Sequence, residues 1–388
     1  MALSLLQTPA SCSFAQSPIV FSLSESNTAT LTSSSFQYMG DLYYWQGGLN
    51  QSSSTADYVI AKFPNTANVG LFDLNRIINS TLTDYAQQNT SNVVYFAVDF
   101  YWQYFNGTTF VTGSHLKSAT YKAVDGYGVF QETIGQQIFS SSTHWPLMTD
   151  GPATQSAFLD NRGLASVYGG NVGTTQPTKI VYVGNTGTAD YTLTSNDSSS
   201  AQVQQYPIGP SQSGFPISTT GLTYFTVQAY NGGTPLGSSI TYNIDCIQKY
   251  PNVRIKWKNR FGQFDWLNFY MVNRQSFQTE RKTYQPQLGT WESSTLSYQN
   301  YDTAATAYIV DSIQTIQVNT FWLPESYNDI LKQLLVSDEI YWITNEATGA
   351  LKPLSIITNN IQFKTGVVDK LIQYGFEFDF GQGYKLIL

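Results

Sequence analysis

VRIKWKNRFGQFDWLNFYMVNRQSFQTERKTY, residues 253–284, sets the expectation for the whole chain, because its alternation has the period of a strand and not of a helix. Val253, Ile255 and Trp257 fall on one side of an extended run, and Arg254, Lys256 and Lys258 on the other. A Gly-centred turn, Asn259–Gln263, follows, and Phe264–Val272 is rich in aromatic and strand-favouring residues. The reading is a β-hairpin. Eight of the nineteen Lys and Arg residues lie between Lys249 and Lys282, against only Asp265 and Glu280. Solvated strand faces mix signs, so a face of one sign suggests docking. The candidate interface is Arg254, Lys256, Trp257, Lys258, Arg260, Trp266, Phe269, Tyr270 and Arg274, of which Trp257, Trp266, Phe269, Tyr270, Arg260 and Arg274 are residue types enriched at interface centres. A plain solvated face over a domain core is the other reading of the same pattern.

Working outward, 388 residues are too many for one ordinary core and imply several domains. Charged residues make up 12% of the chain, about half the usual share, and aromatics 15%. That composition excludes a disordered chain, which needs low hydrophobicity and high net charge. It fits a β-rich protein with a polar but sparsely charged surface. The net charge of −7 argues against nucleic acid as a partner, because phosphate neutralisation needs excess Lys and Arg. No stretch reaches the roughly 18 apolar residues of a membrane span. The start, MALSLLQTPASCSFA, has no basic residue before its short apolar run and reads as an arm rather than a leader. Cys12 and Cys246 lie too far apart to suggest a disulfide framework or metal spacing.

Short strand signals separated by Ser/Thr/Asn/Gly clusters cover residues 18–63, and apolar positions 74, 77, 78 and 82 predict a helix near 73–85 with Asp73 as its cap. Asn92–Trp102 reads as a strand, Asn106-Gly107 as a hairpin turn, and Thr120–Ala123 and Val129-Phe130 as further strands. Residues 140–178 are rich in turn formers. Residues 179–246 alternate strands and turns at sandwich spacing. After the basic hairpin come strands near 308–321, a helix near 324–336 and strands at 339–344, 352–357, 361–364 and 371–380. The expected architecture is mainly β: a domain over 1–91 with one helix, immunoglobulin- or fibronectin-like β-sandwiches over 92–178 and 179–248, and a C-terminal β domain over 249–388 carrying one or two short helices.

No reaction is spelled out by these residues. His115 and His144 sit among turn formers with no HxH or HExxH spacing. No nucleophile elbow, P-loop or dinucleotide fingerprint occurs, and Asp379-Phe380-Gly381 has none of the companions of a kinase magnesium motif. The expectation is no catalytic residue, no metal and no cofactor. Asp99, Asp125 and Glu132 lie among aromatics and keep a glycoside-cleaving reading open, since carboxylate spacing there is spatial. Tyr- and Trp-rich loops make Trp45 and Trp102 the candidate glycan contacts.

Several stretches together carry a family likeness: Pro18-Ile19-Val20-Phe21, Phe63-Pro64-Asn65 leading to Phe72-Asp73-Leu74, Trp257–Asp265, Phe277–Tyr284 and Lys332–Phe380. In these the chain resembles tail or virion structural proteins of tailed bacteriophages of Bacteroidetes-type hosts. The resemblance spans most of the chain and carries no catalytic residues over. It implies a non-enzymatic protein of the virion, made in the host cytoplasm. Such a protein assembles with copies of itself and other virion proteins into a tail, baseplate, collar or spike. A host-surface glycan is the alternative partner.

Overall fold

A computed structural model describes residues 3–33, 35–48, 51, 54–87, 91–128, 145–170, 175–194, 202–245, 250–287, 289, 294–295, 297, 299, 301, 305–363, 372–381 and 385–387. The chain is mainly β, with several sheets and few helices. It divides into two compact units, one of Met1–Cys246 with Lys258–Asp265, the other of Ile247–Trp257 with Trp266–Leu388. The expected Val129-Phe130 strand, Glu132, His144 and Cys246 lie outside the described residues.

The first unit opens with β1 (Leu3–Gln7), β2 (Cys12–Phe14), β3 (Val20–Glu25), a single-turn helix α1 (Thr28–Leu31), β4 (Gln37–Trp45), β5 (Tyr58–Lys62), β6 (Val69–Asp73) and α2 (Asn75–Gln87). β7 (Val93–Phe105), β8 (Phe110–Thr112), β9 (Leu116–Lys117) and β10 (Tyr121–Val124) follow. β1, β3 and β6 make a three-stranded sheet, and the others a seven-stranded sheet in the order β2-β10-β7-β4-β5, with β8 and β9 also on β7. β7 reads VVYFAVDFYWQYF, thirteen residues without Gly or Pro, which is why it runs unbroken. The two sheets form a β-sandwich. Phe21, Leu23 and Phe72 from one layer meet Tyr38, Leu42, Phe96, Val98 and Phe100 from the other in a common core.

Gly70 allows a close approach in that core, since a Cβ there would lie 2.5 Å from the Tyr38 ring. The Tyr38 hydroxyl finishes the contact by donating to Asn68 O at 2.7 Å and accepting from Glu25 N at 3.1 Å. Asp73 behaves as the sequence implies: its Oδ1 accepts from Asn75 N at 3.2 Å and from Ile19 N at 3.1 Å. Leu74, Ile78 and Leu82 then face the core. Of the ordered or flexible arm expected at the chain start, the structure shows the ordered form: β1 pairs with β3 and the Cys12 and Phe14 side chains are fully buried.

The unit continues with β11 (Thr154–Ala157), β12 (Leu164–Tyr168), β13 (Lys179–Gly184), β14 (Gly187–Thr192), β15 (Val203–Pro207), β16 (Tyr224–Asn231) and β17 (Thr234–Ile244). They form a five-stranded sheet, β11-β17-β16-β13-β14, and a β12-β15 pair. The buried Tyr182 hydroxyl of β13 donates to Pro207 O of β15. The expected boundaries at 91/92 and 178/179 do not separate sheets. β4 pairs with β7 across the first, and β11 with β17 and β12 with β15 across the second.

The second unit is organised by β18 (Val253–Lys258), β19 (Phe264–Phe269), β20 (Arg274–Tyr284), β21 (Thr306–Asn319), a 3-10 turn at Glu325–Tyr327 leading into α3 (Asn328–Val336), β22 (Ile340–Asn345), β23 (Ala350–Ile356), β24 (Gly375–Asp379) and β25 (Lys385–Ile387). They form an eight-stranded sheet, β19-β18-β22-β23-β24-β21-β20, with β25 on β21. Tyr327, Ile330, Leu331 and Leu334 of the helical segment share one core with Ile255, Trp257, Phe376 and Phe378, as the helical spacing implied. The strand expected over 361–364 does not form at 361–363.

Phe100 stands where three aromatic contributions converge, 5.2 Å from the Phe21 ring and 5.3 Å from Phe72. Phe100→Ala is therefore expected to destabilise the first unit by about 3–5 kcal/mol, seen as an earlier urea-unfolding midpoint, whereas Phe110→Ala on the exposed β8 leaves the midpoint unmoved.

Candidate functional site

The face division expected for β18 holds: Val253, Ile255 and Trp257 all enter the core. The expectation of a free basic docking face does not. β18 lies inside the sheet between β19 and β22, so both of its edges are paired, and on its second face Arg254 is buried and Lys256 and Lys258 are half-buried. Arg254 is only 3% exposed. Its Nη1 donates to Glu346 Oε2 at 3.1 Å, and its guanidinium lies 5.0 Å from the centre of the Trp266 ring. Lys256 is half-buried, and that burial lowers its pKa, opposed by Glu339 and assisted by Arg254. Phe269 is buried edge-on to Phe376, and Tyr270 stacks on Phe321 at 5.2 Å.

The hairpin tip is neutralised in the same way within the first unit. Lys258 Nζ lies 3.1 Å from Asp125 Oδ2, and Arg260 grips Asp150 with two nitrogens, Nη2 at 3.0 Å from Oδ1. Asn259 holds the turn: its Oδ1 accepts from the backbone of Phe261 and Gln263, both at 3.0 Å, while Nδ2 donates to Met148 O and Asp265 Oδ2. Gly262 has φ +67°, and a Cβ there would strike the Asp125 carboxyl, so glycine is required. Phe261 is fully buried, edge-on to Phe14. The partners of this basic run come from positions up to 133 residues away in sequence, as Lys258 and Asp125 do, and no local pattern announces them.

Of the expected interface, Arg274 alone is exposed, and it opens β20. All eleven residues of β20 are exposed, with Phe277 at 55% and Tyr284 at 51%. The strand is paired with β21 on one side, and among the described residues no strand lies along the other. RQSFQTERKTY lacks apolar alternation, which hid this strand; its one signal was eleven residues without Gly or Pro.

A second site lies on the seven-stranded sheet, on the face turned away from the sandwich core. Asp41 of β4 stands directly opposite Asp99 of β7, which also faces Lys117 of β9. Asp99 Oδ2 lies 3.0 Å from His115 Nδ1, the His115 ring stacks on Tyr101 at 4.6 Å, and the Tyr101 hydroxyl donates to Asp41 Oδ1 at 3.4 Å. Lys117 bonds to Gln51 and lies 5.9 Å from the Tyr43 ring centre. The other Asp99 oxygen, Oδ1, is buried without a hydrogen-bond partner among the described residues. Burial raises the Asp41 pKa, with Asp99 adding to the rise and the Tyr101 hydrogen bond and His115 opposing it. The result is a partly exposed patch of two carboxylates, an imidazole, an ammonium and two phenols.

No family model matches this chain. No curated protein matches it either. Among solved structures, a chimeric titin Z1Z2 functionalized with a KLER exogenous peptide from decorin is similar at 10% sequence identity, over 64% of this chain and 100% of that one, with a TM-score of 0.16. A likeness at that score carries no argument.

The expected glycan contacts are placed differently from that patch. Trp45 is 3% exposed, stacked on Tyr95, with Nε1 donating to Gly48 O at 2.9 Å, so its faces are not open to a sugar. Trp102 is half-buried against Phe36 and Tyr104, with Gly113 pressed on the indole. Asp125 is taken up by Lys258. No group of three or more His, Cys, Asp or Glu side chains could hold a metal ion among the described residues, and no described helix is long and apolar enough to cross a membrane.

Asp265 is the most perturbed carboxyl group among the described residues. Burial raises its pKa from 3.8 to about 7; hydrogen bonds from Asn259 and Thr149 oppose the rise, and Asp150 adds to it. Unfolding in that interval releases a proton, so the group's contribution to stability is fully present below pH 3.8 and is lost as pH rises towards about 7. Asp265→Asn is expected to flatten the fall in unfolding midpoint across that window; equal falls in variant and parent would refute the assignment.

Proposed function

We propose that this chain is a non-enzymatic structural subunit of a tailed-bacteriophage particle, assembled in the host cytoplasm with copies of itself and other virion proteins into a tail, baseplate, collar or spike. The observation that carries the reading is β20. An edge strand of eleven exposed residues offers a row of backbone donors and acceptors to another strand, and self-contained proteins ordinarily shorten, bend or cover such edges. The exposed apolar side chains Phe277, Tyr284, Tyr308 and Ile313 on the same ribbon support it. So does a 12% charge content, since obligate interfaces are depleted of charge at their centres. The work done is mechanical: rigid sheets held in register by neighbours.

Host-surface glycan binding is a second reading, and the patch of Asp41, Tyr43, Asp99, Tyr101, His115 and Lys117 favours it, because carboxylates beside aromatic rings suit sugar hydroxyls and ring faces. Under that reading, Tyr43→Ala with Tyr101→Ala abolishes retention on host envelope polysaccharide without lowering the unfolding midpoint.

For the assembly reading, the purified full chain is expected to give multimers in light scattering, growing with concentration. A monodisperse monomer at high concentration would overturn it.

A further inference from the structure

Resting on the assembly reading, we infer that β20 pairs antiparallel with β20 of a second copy about a two-fold axis at Thr279, joining the two eight-stranded sheets into one. A two-fold axis normal to a sheet must pass between a residue and its own symmetry mate, because hydrogen-bonded and non-hydrogen-bonded pairs alternate along an antiparallel ladder. The axis therefore falls at a residue of β20 and never between two. Thr279 is the midpoint of Arg274–Tyr284, so this register alone pairs all eleven residues.

It is also self-complementary in charge. Glu280 stands opposite Gln278 of the other copy, Arg281 opposite Phe277, Lys282 opposite Ser276, and Arg274 opposite Tyr284. No like charges are directly opposed, and two arginines meet aromatic rings. Moving the axis one residue back, to Gln278, sets Arg274 against Lys282. Moving it one forward, to Glu280, sets that carboxylate against itself, and one further sets Arg281 against itself. The edge carries four charged residues in eleven, in a chain where charge is scarce, and they leave the full-length register open while disfavouring those one residue to either side; an axis at Phe277 would also oppose Arg274 to Glu280, but it pairs only seven residues.

The partner is thus a second copy of this chain, recognised through backbone hydrogen bonds along one exposed edge. The test uses the full chain carrying Cys246→Ser in every arm, with Cys12 left in its buried place. Opposed residues in an antiparallel pair have Cα atoms about 4.5–5.5 Å apart, within disulfide reach. Under mild oxidation Thr279→Cys is expected to convert most of the chain to a disulfide-linked dimer that reductant reverses. Ser276→Cys alone and Lys282→Cys alone are expected to stay monomeric on a denaturing gel, while their equimolar mixture yields the mixed dimer. A Thr279→Cys dimer without the mixed dimer would indicate collision and overturn the ladder. Multimers in light scattering with no disulfide dimer in any arm would overturn the pairing but leave the assembly reading standing. A monomer in light scattering would overturn both.

Discussion

The ladder between β4 and β7 is the constraint on which the first unit depends. Nine consecutive residue pairs, from Gln37 with Gln103 to Trp45 with Tyr95, fix which side of β7 faces which neighbour. Phe96, Val98 and Phe100 point into the sandwich core; Tyr95 and Ala97 point the other way, into a second core with Trp45, Met148, Tyr168 and Phe261. A slip of one residue would exchange the two sets and bury Asp99 in place of Val98. The polar patch follows from the same periodicity: Asp99 and Tyr101 continue the face of Tyr95 and Ala97 beyond the point where its cover ends. Its position is a consequence of where packing stops.

Charge scarcity takes a different form from the one composition alone implies. Three of the four basic residues in 253–260 are neutralised inside their own units, Arg254 by Glu346, Lys258 by Asp125 and Arg260 by Asp150. An unpaired guanidinium buried as deeply as Arg254 would cost several kcal/mol, roughly, so its carboxylate and the Trp266 face are conditions of folding rather than spare binding capacity. Asp265 shows the opposite solution. Buried and with no cation paired to it among the described residues, it keeps its proton to higher pH and accepts hydrogen bonds from Asn259 and Thr149.

Much of the fold was legible because the strands that matter most alternate strongly. β4, β7, β13, β16 and β18 were readable within a few residues, and so were both longer helices, whose apolar stripes and Asp73 cap are local features. β1, β2 and β12 were hidden by being short or flanked by turn residues, and β20 by being polar on both sides. What sequence could not supply was pairing. Nothing in Asp41 or Asp99 announces that they oppose each other, and nothing in Arg260 names Asp150. Hence the strands were largely foreseen, while the expected domain boundaries cut through sheets and the candidate interface turned out to be buried or half-buried everywhere but Arg274.

The edges of the sheets then separate what is finished from what is open. β19, at the far side of the eight-stranded sheet, is six residues long and ends in three buried ones, Leu267, Asn268 and Phe269. β14 and β5 are six and five residues long, too short to template an extended partner. β20 is eleven residues long, exposed throughout and without Pro or Gly, and the edge devices it does carry are its charges. Its Arg274, Glu280, Arg281 and Lys282 act as register markers: they penalise mismatched strands, which meet like charges or leave ions facing apolar groups, and admit a strand whose order complements their own. The self-pairing inferred for β20 would close that edge with a strand of its own sequence.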